Sequence, residues 1–60
     1  MNENMLIQNL AHYNEEESNH GPLGGMAWDQ VDWNARELVE QYGWQYAELE
    51  RKWPALFDRK

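Results

Sequence analysis

His12 and His20 flank the run Glu15-Glu16-Glu17, and imidazole and carboxylate together are competent metal ligands. Their spacing matches no ligand motif, and a closed site demands ligands fixed at set distances, so no metal is expected. Nucleophilic chemistry is equally short of parts, because cysteine is absent and the only serine is Ser18. Adjacent glutamates become an acid–base pair only inside a pocket, and so short a chain rarely builds one. Residues 21–25 lack the GKS or GKT ending and the preceding strand of a phosphate loop. No enzymatic activity and no cofactor are expected, and the chemistry left to these side chains is binding.

The chain has 60 residues and a net charge of −6. No Lys or Arg precedes Arg36, whereas Glu3, Glu15, Glu16, Glu17, Asp29 and Asp32 all do. Residues 36–60 balance five acids against five bases, so the net charge falls on the first part of the chain. Such a one-sided field repels nucleic acid and anionic membrane, and it attracts a basic surface. Apolar runs are too short for a transmembrane span, and the start lacks the basic and apolar regions of a secretory signal. The expectation is a cytoplasmic protein that touches neither membrane nor nucleic acid directly.

The elements that must position these groups read as mostly α, in one small domain over residues 1–60. Without disulfide or zinc, so small a core leans on aromatic packing or on oligomerisation. Residues 1–14 carry a short apolar patch, Met5, Leu6, Ile7, Leu10, Ala11 and Tyr13; Met5-Leu6-Ile7 could open a strand and Leu6, Leu10 and Tyr13 also fit a short helix, and the segment is read as irregular or briefly extended. Residues 15–25 read as an acidic loop, because three like charges precede a stretch rich in Gly, Pro, Ser and Asn. Residues 1–27 thus form an N-terminal segment and acidic loop, with residues 15–25 its most flexible part by composition.

Residues 28–57 form the helical region. Trp28, Val31, Ala35, Leu38, Val39, Tyr42, Tyr46, Leu49, Trp53, Leu56 and Phe57 fall on one face at about 100° per residue, the width of a core-facing stripe. Asp29 or Asp32 is the expected N-cap, and Pro54 should end the helix at Trp53. Gly43 divides the region. A break there gives a hairpin of helices at 29–42 and 45–53, since Gly adopts the left-handed conformation cheaply after a helix end. An unbroken helix would leave its long stripe uncovered and demand a homodimer. We read a break.

Trp33 and Trp44 lie off the stripe, with Glu37 and Glu40 between them. They either pack within the hairpin and against the N-terminal segment, or form an exposed binding face framed by carboxylates. The expected partner-binding set is Glu15, Glu16, Glu17, Asp29, Asp32, Trp33, Glu37, Glu40 and Trp44. Residues 36–53 also have the outline of a helix-turn-helix about Gly43, yet Glu48 and Glu50 sit where a DNA-reading helix needs cations.

Asn9-Leu10, Tyr13-Asn14, the Gly21-Pro22-Leu23-Gly24-Gly25 element and Trp28 together resemble the opening of the ArdA antirestriction proteins. That family consists of acidic DNA mimics, borne on mobile elements, that block type I restriction enzymes. The resemblance covers residues 7–28 and implies a similar inhibitory role. Charge and resemblance lead to one expectation: a non-enzymatic inhibitor or adaptor, of phage or plasmid anti-defence type, acting as a DNA mimic whose carboxylates take the places of phosphates. Its partner would be a host protein with a basic, nucleic-acid-handling surface, such as a restriction, CRISPR, polymerase or repair enzyme. The alternative is a helical structural protein that assembles through its apolar stripe, and a third reading is a helix-turn-helix DNA binder.

Overall fold

The structure, a computed structural model, describes residues 2–58; Met1, Arg59 and Lys60 lie outside the described residues. It is built of α1 (Glu3–His20), α2 (Gly25–Tyr42), α3 (Tyr46–Lys52) and α4 (Pro54–Phe57). Mostly α is therefore the fold class, and the first residues depart from expectation. Asn2 stays extended and its Oδ1 accepts from the Met5 amide at 2.9 Å. That cap, with Glu3 in the first turn against the helix dipole, starts a helix where an irregular segment was expected.

α1 then runs straight through the acidic run, and the expected loop at 15–25 shrinks to residues 21–24. Three consecutive glutamates diverge by about 100° each around a helix, so their repulsion is spread into water while their helix propensity remains. Two of them also find partners. Glu16 stands 3.6 Å from His20 one turn on, and a Glu17 carboxylate oxygen accepts from the Leu23 amide at 3.0 Å. Gly21, at φ +102, ends the helix in a conformation that other residues rarely adopt.

α2 begins one turn earlier than its acidic residues suggest. Gly24 is the N-cap, without a side-chain cap, so Asp29 and Asp32 lie inside the helix and cap nothing. Leu23 and Trp28 take the positions of a hydrophobic staple, and both pack against the core. The break at Gly43 is present. Gly43 is left-handed (φ 75°, ψ 18°), and its amide and that of Trp44 both donate to the Leu38 carbonyl, the latter at 3.1 Å. α3 opens with a capping box in which the Gln45 amide donates to Glu48 at 3.0 Å and the Gln45 side chain accepts from the Glu48 amide. Pro54 ends α3 and supplies the first residue of α4.

The packing partners differ from the expected hairpin. α1 packs along α2, α4 packs on α1, and α3 packs on α4. The core unites Leu6 and Leu10 of α1 with Val31, Ala35 and Leu38 of α2, and with Leu49, Trp53 and Leu56. Because α1 covers α2, the stripe on α2 is displaced. Asn34 becomes buried (3% exposed), while Val39 and Tyr42 emerge at the edge, and Tyr46 beyond the break is exposed too. Burial of Asn34 is tolerated because it is satisfied: its Oδ1 accepts from Asn9 across the helix pair at 3.2 Å, and its amide donates to the Gln30 carbonyl.

Gly43→Ala should destabilise the chain by about 1–2 kcal/mol, the cost of a side chain in the left-handed region, although nothing lies within 4 Å of the added Cβ. Gly25→Ala, equally uncrowded and at the start of α2, should be neutral or stabilise by about 0.5 kcal/mol. Urea titration followed by circular dichroism reads both; equal midpoints for the two variants would contradict this end of α2.

Candidate functional site

The structure separates the expected binding residues into three groups. Glu15, Glu16 and Glu17 do not form one charged patch. Glu15 points to solvent, Glu16 turns toward His20, and the half-buried Glu17 holds the link to α2 through Leu23. Trp44 is structural. Its indole N–H donates to Glu3 at 2.8 Å and its ring stacks on Trp53, with centroids 5.7 Å apart and planes within 10°. Trp53 in turn meets Phe57, whose edge contacts Tyr46 at 5.9 Å. Trp44 thus lies beyond the break and does not share a face with Trp33.

The third group stays together on α2. Asp29, Trp33, Glu37 and Glu40 recur at spacings that place them on one outer stripe, and Asp32 flanks it. Trp33 is 65% exposed and Met26, two turns earlier, 86%. Arg36 stands on the same face and was not anticipated. Among the described residues it makes no ion pair, although Asp32 and Glu40 each lie one turn away, so the face carries four carboxylates against one guanidinium.

Two concavities border this face. The larger, an open groove of about 830 Å³, lies where α3 leans on α4 and leaves one flank of α2 uncovered. Trp28, Val39, Tyr46 and Phe57 wall it, Leu49 and Leu56 line its base, and Asp32 and Arg36 stand at the α2 side. The smaller, of about 300 Å³, lies on the other flank between α1 and α2, lined by Leu6, Gln30, Trp33, Asn34 and Glu37. Neither was legible in the chain, since each depends on which helix covers α2.

Among the described residues no group of three or more His, Asp or Glu side chains comes together as a metal site. No described helix is long and apolar enough to cross a membrane. The helix-turn-helix outline also dissolves, since α3 packs on α4 rather than across α2. The residues behind the antirestriction resemblance have packing roles: Asn9 bonds Asn34, Leu10 is core, and Asn14 accepts from the Ala55 amide at 3.0 Å.

The two off-stripe tryptophans should therefore respond oppositely to truncation. Trp44→Ala should cost about 2–4 kcal/mol, near the range for removing a packed ring, and Trp33→Ala no more than about 0.5 kcal/mol. Denaturant midpoints decide, and a large loss at Trp33 would make it part of the fold rather than of a surface. Comparison with known proteins adds no relative: no protein family, curated protein or solved structure matches this chain.

Proposed function

We propose that this chain is a non-enzymatic binding module whose α2 outer face docks on a basic surface of another protein and masks it. The observation that carries this reading is Trp33. A core this small buries Trp53 fully and recruits Trp28 and Trp44 in part, yet leaves Trp33 in water at 65% exposure. Exposed tryptophans beside polar groups are favoured anchors of protein interfaces. Around it stand Asp29, Asp32, Glu37 and Glu40, which select a cationic counterpart.

Charge density sets the scale of that counterpart. From residue 29 to residue 40 the helix advances about 16 Å, at about 1.5 Å per residue. Three net negative charges over that length amount to roughly one per 5 Å, against about one per 1.7 Å along duplex DNA. The face is thinner in charge than a duplex, so it suits a short basic segment or patch with an apolar contact at its centre. Nucleic-acid-handling enzymes present such patches, and they remain the partner class we favour.

Capture from host lysate in rising salt, repeated with variants, tests the reading. The wild-type chain and Glu15→Gln should retain the same partner and release it at moderate salt. Trp33→Ala and the fourfold amide variant D29N/D32N/E37Q/E40Q should lose it at least tenfold while keeping their helical circular dichroism. Undiminished capture by the amide variant would end the proposal.

A further inference from the structure

Beneath Trp33 the docking face has a feature that charge alone does not require. We propose that the cleft between α1 and α2 is a slot for one long cationic side chain, arginine foremost, presented by the partner. The proposal rests on the docking reading above and gives it a chemical anchor.

The cleft measures about 300 Å³, the lower limit of small-molecule pockets, about 300–1,000 Å³, and a size suited to a single side chain. Its accessible apolar surface is the exposed ring of Trp33, with the buried Leu6 behind it. Its floor has no polar group to spare, because both functions of the Asn34 amide are used within the protein. The polar end of a guest therefore meets Glu37 and the Gln30 amide. Glu37 is half-buried and makes no hydrogen bond or ion pair among the described residues. A carboxylate drawn partly out of water without a partner interacts more strongly with an incoming cation than one on open surface.

The aromatic ring points to the same ligand. Trp53 already has a cation of its own, with Lys52 Nζ 5.9 Å from its ring centre. No described cation lies over Trp33. Arg36, three residues on, lies outside the cleft and lines the opposite groove instead. Tryptophan is the strongest aromatic acceptor of a cation, and a guanidinium stacks on it while keeping its edge free for bidentate bonding. Trp33 and Glu37 are one helical turn apart, so a guanidinium over the ring reaches the carboxylate. Lysine would fill the slot without the stacked plane or the second hydrogen bond.

The test uses the full chain, labelled with ¹⁵N, and the peptide acetyl-Gly-Gly-Arg-Gly-Gly-amide at constant ionic strength. Saturable shifts are expected at the Trp33 indole N–H, the Gln30 side-chain amide and the Glu37 backbone amide. The isosteric but neutral citrulline peptide should bind about tenfold more weakly, and the lysine peptide several-fold more weakly. Glu37→Gln should lose about tenfold for arginine while leaving the rest of the spectrum in place, and Trp33→Ala should abolish the effect. Equal binding of the citrulline peptide, or no saturable shift, would overturn the slot. Shifts spread evenly over Asp29, Asp32 and Glu40 would overturn it too while leaving the docking reading standing. A functional slot in a chain whose fourfold amide variant still captured its partner would separate the two in the other direction.

Discussion

Each later part of this protein is fastened to α1 by one polar side chain. Glu3 accepts from the Trp44 indole just past the break, Asn9 donates to Asn34 in the middle of α2, and Asn14 accepts from Ala55 at the start of α4. A single such bond contributes only about 0.5–1.5 kcal/mol net. Their spacing matters more than their sum. They lie along α1 at residues 3, 9 and 14, and between them Leu6 and Leu10 supply the apolar contact. Alternating apolar and polar contacts in this way fixes register, because sliding α1 by one residue would bury an unsatisfied amide as well as lose packing.

That arrangement decides what is left for function. Once α1 covers the side of α2 that carries Val31, Asn34, Ala35 and Leu38, the opposite side is free of structural duty. α3 and α4, held together by the Trp44–Trp53–Phe57–Tyr46 cluster, reach only its flank. A long helix, supported along one side and open along the other, is a rigid platform. Asp29, Trp33, Glu37 and Glu40 are held on it in fixed relative positions without ordering cost at the backbone.

Several of these features are legible in the chain. Gly43 stops a helix because the left-handed conformation is cheap only there, and Leu38, Leu49, Trp53 and Leu56 fall inside as their periodicity requires. The asymmetry of charge is plain from residue types alone. Other features were hidden for physical reasons. Residues 15–17 look like a loop because three like charges adjoin a turn-rich stretch, yet a helix spreads those charges around its axis and keeps glutamate's helix propensity, and Glu17 gains a partner in the Leu23 amide. Burial depends instead on partners far away in sequence. Trp44 and Trp33 look equivalent on a wheel; the approach of Glu3, forty-one residues before Trp44, and the stacking of Trp53 on its ring make one structural and leave the other exposed. The capping box of Gln45 and Glu48 was not legible either, because glutamine is not among the usual N-cap residues.

The three fastenings of α1 also differ in the length of chain that each one closes. Asn9 and Asn34 are 25 residues apart, whereas Glu3–Trp44 and Asn14–Ala55 each span 41. Closing a longer loop costs more chain entropy, although the cost grows slowly with length. The middle of α1 therefore holds its partner at a smaller entropic cost than either end does. When the molecule opens locally, the contacts to Trp44 and Ala55 should loosen before the pairing of α1 with α2.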